Sequence, residues 1–88
     1  MKTLEQLCKE LKDLTWENEH TKAKLVIAEH FKLDKYIKIF KAIEDICNIE
    51  GHTPWELTDY RHRKSMDMLD AIKQEHGLEV YYKVYNSL

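Results

Sequence analysis

The sequence predicts an all-α fold, a small helical bundle in a single domain over residues 1–88. The chain has only two glycines and one proline, too few turn residues for a sandwich or a barrel. Its apolar side chains recur at spacings of three, four and seven residues, which is the period of α-helices. We expect a long N-terminal heptad-patterned helix followed by two or three further helices.

The length and composition of the chain argue against several classes of protein. The 88 residues are 43% hydrophobic and 34% charged, too apolar for a disordered chain, and too few for a deep enclosed active site. The net charge of −2 does not favour nucleic-acid binding by bulk charge. We find no signal-peptide pattern and no apolar run near the ~20 residues that span a bilayer. Cys8 and Cys47 lack metal-site spacing, so we expect free thiols in a cytoplasmic protein without membrane association.

Residues 3–31 carry a heptad-like repeat, the pattern of a helix that packs along one seam against a partner helix. The two seam positions are held by Leu4, Leu11, Asn18 and Leu25, and by Leu7, Leu14, Thr21 and Ala28. We favour one continuous helix in which Asn18 is a polar seam residue that fixes the register. The alternative is a turn within residues 15–21 that gives two antiparallel helices, the second capped by Thr15.

A second helix is predicted over residues 33–50. Its buried stripe consists of Leu33, Tyr36, Ile37, Phe40, Ile43 and Cys47. Asp34 suits the N-cap or the first turn, where a carboxylate is favoured, and Gly51 suits the residue just after the C-terminus.

The strongest helix start signal is the run Thr53-Pro54-Trp55-Glu56, which fits a capping box with proline at the first helical position. This helix should run to about Glu75 and end at Gly77. It carries two largely apolar stripes, one of Trp55, His62, Met66, Leu69 and Ile72, and one of Leu57, Lys64, Met68 and Ala71. A helix with two apolar sides lies between two neighbours or serves an interface.

The C-terminal segment, residues 78–88, fits two patterns. Leu78, Val80, Tyr82 and Val84 alternate as in a strand, whereas Leu78, Tyr81, Tyr85 and Leu88 repeat as in a helix. We predict a short helix, because no second strand is visible to pair with this one. A strand paired across a homodimer remains the alternative.

No catalytic or metal-binding constellation is found in the sequence. The only close pair of metal-ligand type is Cys47 with His52, and a structural zinc site needs four ligands. His62 lies in an apolar stripe and is interpreted as a hydrogen-bonded core histidine. The chain has no nucleophile–base spacing and no glycine-rich phosphate loop. We therefore expect a protein that is not an enzyme and that binds no metal or cofactor.

The leading functional hypothesis is a protein–protein interaction module that associates with itself. The heptad seam, the two-sided helix and the C-terminal tyrosines motivate it, because tyrosine is enriched at interface centres. The candidate interface residues are Leu4, Leu7, Leu11, Leu14, Asn18, Leu57, Met68, Tyr81 and Tyr85. The size of the chain suits a small bacterial or phage accessory or regulatory protein.

The alternative hypothesis is a nucleic-acid-binding helical regulator. Its candidate contacts are Lys35, Lys38, Lys41, Arg61, Arg63 and Lys64. Residues 27–33 resemble the first helix and turn of a helix-turn-helix motif, with Lys32 where that motif has glycine. Ile37 and Phe40 in the following helix fall one residue early for the motif.

Overall fold

A computed structural model describes residues 2–88 and shows five α-helices, with no strand in this range. The helices are α1 (Leu4–Trp16), α2 (His20–His30), α3 (Asp34–Glu50), α4 (Trp55–His76) and α5 (Leu78–Asn86). The all-α prediction is confirmed, and so is a helix rather than a strand at the C-terminus. The domain predicted over residues 1–88 includes Met1, which lies outside the described residues.

The core is one cluster to which all five helices contribute. Its buried apolar residues are Leu7, Leu11, Ala23, Ile27, Ala28, Phe40, Ile43, Met68, Leu69, Ile72 and Val84. Helix α2 lies at the centre, where it packs against α1, α3 and α4. The small side chains of Ala23 and Ala28 on α2 suit this position, because they let neighbouring helices approach closely.

The favoured single helix over residues 3–31 is wrong, and a turn does fall within residues 15–21. The predicted cap at Thr15 is also wrong, because Thr15 lies inside α1 and α2 begins at His20 without a side-chain cap. Asn18 adopts a left-handed conformation, with φ of 66°. The amide of Glu19 donates to the Leu14 carbonyl at 2.8 Å, and the Asn18 amide donates to the Thr15 carbonyl at 3.1 Å. This pair of bonds is a Schellman motif, in which asparagine is the most suitable residue after glycine. Asn18 therefore ends α1 and does not set the register of a seam.

The same motif ends α2 at Lys32. Lys32 has φ of 57°, and the Leu33 amide donates to the Ala28 carbonyl at 2.8 Å. Lysine has no short polar group to ease this conformation, so its side chain crowds the backbone. Lys32 thus occupies a backbone position that favours glycine. The helix-turn-helix motif has glycine at the same position of its turn.

Replacing Lys32 with glycine should raise the free energy of unfolding by about 0.5–1 kcal/mol, because strain at the positive φ outweighs the extra chain entropy of glycine. Urea unfolding measures the change. Lys38→Gly is the matched control: Lys38 is exposed within α3, and glycine there should cost about 1 kcal/mol. Destabilisation by both variants would show that Lys32 is unstrained.

Helices α3 and α4 match their predicted ranges, and each ends at a glycine with positive φ, 77° at Gly51 and 92° at Gly77. The predicted capping box at Thr53 is wrong, because α4 begins after Pro54 without a side-chain cap. A complete capping box instead starts α1, where the Gln6 amide donates to the Thr3 hydroxyl at 3.2 Å and the Thr3 amide donates to the Gln6 side chain at 2.9 Å.

The predicted first stripe of α4 is correct for two of its five residues. Leu69 and Ile72 are buried, but Trp55, His62 and Met66 face outward. His62 is therefore not a core histidine. The buried face of α4 is centred on Ser65, Met68, Leu69 and Ile72.

Candidate functional site

The outer side of α5 carries a continuous apolar and aromatic surface. It consists of Leu78, Tyr81, Tyr82 and Tyr85, and is called here the α5 aromatic face. Leu78 is 52% exposed, Tyr82 53% and Tyr85 49%, whereas Tyr81 is half-buried. The spacing of three and four residues places all four side chains on adjacent positions of one helix side. Exposed aromatic area of this kind is characteristic of an interaction site.

The tyrosine rings contact one another within the face. The Tyr81 and Tyr82 ring centroids lie 5.2 Å apart in an edge arrangement, and those of Tyr81 and Tyr85 lie 5.8 Å apart in a stacked one. The Lys73 ammonium of α4 lies 5.7 Å from the Tyr81 centroid, a cation–π distance. These contacts hold the rings in place, which lowers the entropy that binding would cost.

The opposite side of α5 anchors the helix to the body of the protein. Val84 and Ser87 are buried, and the Ser87 hydroxyl donates to the Lys83 carbonyl at 2.8 Å. The Cys8 thiol of α1 donates to the same carbonyl at 3.6 Å. The inner side of α5 packs against the core. The α5 aromatic face is therefore apolar surface that the core of the folded chain does not use.

A charged edge runs beside the face. The Lys83 ammonium lies 3.6 Å from the Glu79 carboxylate, one helical turn away, and both side chains are exposed. This edge carries one charge of each sign at adjacent positions along α5.

The predicted interface residues divide into three groups. Tyr81 and Tyr85 lie on the α5 aromatic face. Leu7, Leu11 and Met68 have no exposed surface and belong to the core, so they cannot contact a partner of the folded chain. Leu4, Leu14 and Leu57 are half-buried against that core, and Asn18 lies in the α1–α2 turn.

The burial of these leucines has a definite reason. A heptad seam needs a partner helix, and here the partners are helices of the same chain. Leu78 and Tyr82 belong to the face but were not among the predicted interface residues. Their signal is present in the sequence as the spacing of residues 78, 82 and 85 on one helix side.

Other large apolar side chains are exposed away from α5. Trp16 ends α1, Ile49 lies near the end of α3, and Trp55 begins α4; each is more than four-fifths exposed, at 88%, 82% and 81%. They lie at helix ends on three different elements, and Ile46, which is 40% exposed, lies one turn before Ile49 on the same side of α3.

The predicted nucleic-acid residues lie on two helices and differ in exposure and in their hydrogen-bond and ion-pair partners. Lys35, Lys38 and Lys41 are exposed along α3. Arg61 is half-buried, and its Nη1 donates to the Thr21 hydroxyl at 2.9 Å. The remaining two are paired with acids on α4: Arg63 with Asp59 at 3.2 Å, and Lys64 with Asp67 at 3.9 Å.

Among residues 2–88, no three His, Cys, Asp or Glu side chains converge on a point where they could share a metal ion. Cys47 lies 3.4 Å from the Thr53 hydroxyl, and both cysteines are free thiols. Within the same residues, none of the helices has the length and apolar character needed to cross a membrane.

Comparison with known protein families, curated proteins and solved structures finds no match to this chain.

Proposed function

We propose that this chain is a non-enzymatic protein-interaction module that associates with a second copy of itself through the α5 aromatic face. The observation that carries the proposal is the exposure of Leu78, Tyr82 and Tyr85 on one side of a helix whose other side is already packed. Burying these side chains would remove apolar area from water, at roughly 25 cal/mol per Å².

A second copy is favoured as the partner because the face complements itself under two-fold symmetry. We consider an antiparallel pair of α5 helices whose two-fold axis passes between Tyr81 and Tyr82. A residue of one copy then lies opposite the residue of the second copy for which the two residue numbers add to about 163. Leu78 then meets Tyr85 of the second copy, and Tyr81 meets Tyr82. The exposed ring edges and faces suit offset or edge-on aromatic packing.

The charged edge supports the same arrangement. In this antiparallel pair, Glu79 of each copy lies within one residue of a position opposite Lys83 of the other copy. The two copies therefore exchange two pairs of opposite charges along one side of the interface. A parallel pair would instead place the charged edges of the two copies on opposite sides of the interface, where Glu79 and Lys83 could not pair between copies.

The exposed part of the face is smaller than the roughly 800 Å² per partner of a stable interface. We therefore expect a weak dimer, with Kd on the order of 10–100 μM. The nucleic-acid alternative has less support, since α3 carries four acidic residues against its three exposed lysines.

Sedimentation equilibrium tests the proposal. Tyr82→Glu should raise the dimer Kd at least about 10-fold, because it places a carboxylate against aromatic rings in the interface. Ile49→Glu, at an exposed apolar residue outside the face, is the matched control and should leave Kd unchanged. A wild-type chain that stays monomeric at about 1 mM, or an equal loss with both variants, would contradict self-association through α5.

Charge reversal tests the antiparallel geometry. Glu79→Lys and Lys83→Glu should each weaken self-association about two- to fivefold at low salt, because each puts like charges opposite one another. Mixing the two variants should restore association, because every contact across the interface is then between opposite charges. This rescue occurs between chains, so it cannot come from the Glu79–Lys83 pair within one helix. A mixture as weak as its components would rule out the antiparallel pairing.

A further inference from the structure

A small cavity between α2 and α4 gathers cationic side chains. Its volume is about 220 Å³, below the range of pockets for drug-sized molecules. It is lined by His20, Lys24, Thr58, Arg61, His62 and Ser65. No carboxylate is among these lining residues, although acids outnumber lysines and arginines in the chain by 16 to 14.

Arg61 is held in position by neutral partners. Its Nη1 donates to the Thr21 hydroxyl at 2.9 Å and to the Thr53 hydroxyl at 3.4 Å. Among residues 2–88, no carboxylate lies within ion-pair distance of the guanidinium, and its Nε and Nη2 have no protein acceptor. The guanidinium is thus oriented while keeping free the paired donors that suit an oxyanion.

Lys24 is the second unpaired cation. No acid of residues 2–88 forms an ion pair with it, and it is half-buried. Burial and the nearby charge of Arg61 lower the pKa of Lys24 to about 8. His20 lines the same cavity as Lys24 and Arg61, and burial together with the charges of these two residues lowers the pKa of His20. Concentrating like charges in a half-buried space is costly unless an anion compensates.

The two hydroxyls of the cavity wall do not add donors. The Ser65 hydroxyl donates to the Arg61 carbonyl at 2.7 Å, and the Thr58 hydroxyl donates to the Pro54 carbonyl at 3.2 Å. Recognition would therefore depend on charge, from the guanidinium of Arg61 and the ammonium of Lys24. A doubly charged oxyanion gains more from this set than a singly charged one.

We infer that this cavity binds one phosphate group, either as inorganic phosphate or as the terminal phosphate of a small phosphomonoester. The cavity has room for one phosphate group. A nucleic-acid backbone fits it less well, because its successive phosphates need a row of cationic side chains. The site is separate from the α5 aromatic face and does not depend on self-association.

Heteronuclear NMR titration of the full chain tests the inference. Inorganic phosphate, at constant ionic strength, should give saturable shifts at the Arg61 side chain and at backbone amides near residues 20–24 and 58–65. Lys24→Gln should weaken the fitted Kd at least about tenfold, and Arg61→Lys, which retains charge but loses the paired donors, about threefold or more. Lys38→Gln, at an exposed lysine on α3, is the matched control and should leave Kd unchanged.

Two further arms separate the sources of the anion. Adenosine monophosphate that binds with the same Kd as inorganic phosphate would assign the site to the phosphate group alone, and tighter binding would assign it to a phosphomonoester. Linear, non-saturating shifts spread over the exposed lysines would overturn the inference. Equal Kd values for the wild type and Lys24→Gln would also overturn it. A further contradicting result would be that phosphate leaves the cavity residues unshifted while a single-stranded oligonucleotide gives saturable shifts confined to Lys35, Lys38 and Lys41.

Discussion

Replacing Leu11 with alanine is expected to lower the free energy of unfolding by about 2–5 kcal/mol. Leu11 has no exposed surface and lies in the same core cluster as Leu7 of α1 and Ile27 of α2. Removing three carbons there leaves a cavity that the surrounding helices fill only partly. Since an 88-residue domain has a stability of roughly 5–10 kcal/mol, this loss is a large fraction of the whole. Urea unfolding followed by circular dichroism measures it.

Leu78→Ala is the matched comparison, because it removes the same atoms from a leucine that is 52% exposed. It should cost less than about 1 kcal/mol in unfolding while weakening self-association. The two leucines thus separate folding from association. If Leu11→Ala left unfolding unchanged and abolished association, α1 would face a partner chain, as the heptad pattern taken alone predicts.

Apolar periodicity together with glycine stop signals was sufficient to predict the extents of α3 and α4. The stripe from Leu33 to Cys47 and the stop signals at Gly51 and Gly77 agree with α3 and α4 to within one or two residues. Periodicity succeeds here because each helix buries one side and because glycine accepts positive φ where a helix ends.

The N-terminal turn was harder to place, because it contains neither glycine nor proline. Asn18 and Lys32 both take positive φ and end helices, yet the apolar repeat continues through both turns. A heptad pattern persists in sequence whether the helix is continuous or folds back on itself, since both arrangements bury the same side chains. Only the tertiary structure distinguishes them.

Capping illustrates the same limit in local chemistry. Thr53 and Glu56 have the spacing of a capping box, but Thr53 accepts a hydrogen bond from Arg61 at 3.4 Å and contacts Cys47. A tertiary partner thus engages the hydroxyl in place of a cap. Thr3 has no such competitor among the described residues and forms the box with Gln6.

The candidate sites were predictable to different extents. Tyr81 and Tyr85 could be assigned to an interface because their spacing and type are visible locally. The convergence of Lys24 with Arg61 could not be predicted, because the two residues lie on helices whose contact depends on the α2–α4 packing. No sequence pattern shows that two basic residues this far apart along the chain are neighbours in the fold.

That convergence leads to an unusual expectation: replacing Lys24 with methionine should stabilise the protein. Methionine keeps the length of the buried stem and removes a charge that is desolvated and close to Arg61. After allowance for partial exposure, we expect a gain of about 1–2 kcal/mol near pH 7 in an anion-free buffer. Lys38→Met, at an exposed lysine on α3, should change stability by less than about 0.5 kcal/mol.

The pH dependence of this gain identifies its cause. The pKa of Lys24 is about 8 in the folded protein, below the value of about 10.4 in an unfolded chain. Below pH 8 the lysine is charged in both states, so the full penalty opposes folding. Between these two pKa values the folded state releases its proton first, and wild-type stability rises with pH. The advantage of Lys24→Met should therefore shrink from about pH 8 upward and vanish above about pH 10.5.

Urea unfolding of the wild type and Lys24→Met at about pH 7 and pH 10.5 measures the difference between their free energies of unfolding. Groups that titrate in the same way in both proteins cancel from this difference. The ionisable groups that line the cavity with Lys24 are Arg61, His20 and His62. A variant less stable than the wild type at pH 7 would mean that the Lys24 ammonium is compensated within the folded chain. Adding phosphate supplies a second test, because an anion that binds only the wild-type cavity should close the gap between the two proteins at pH 7.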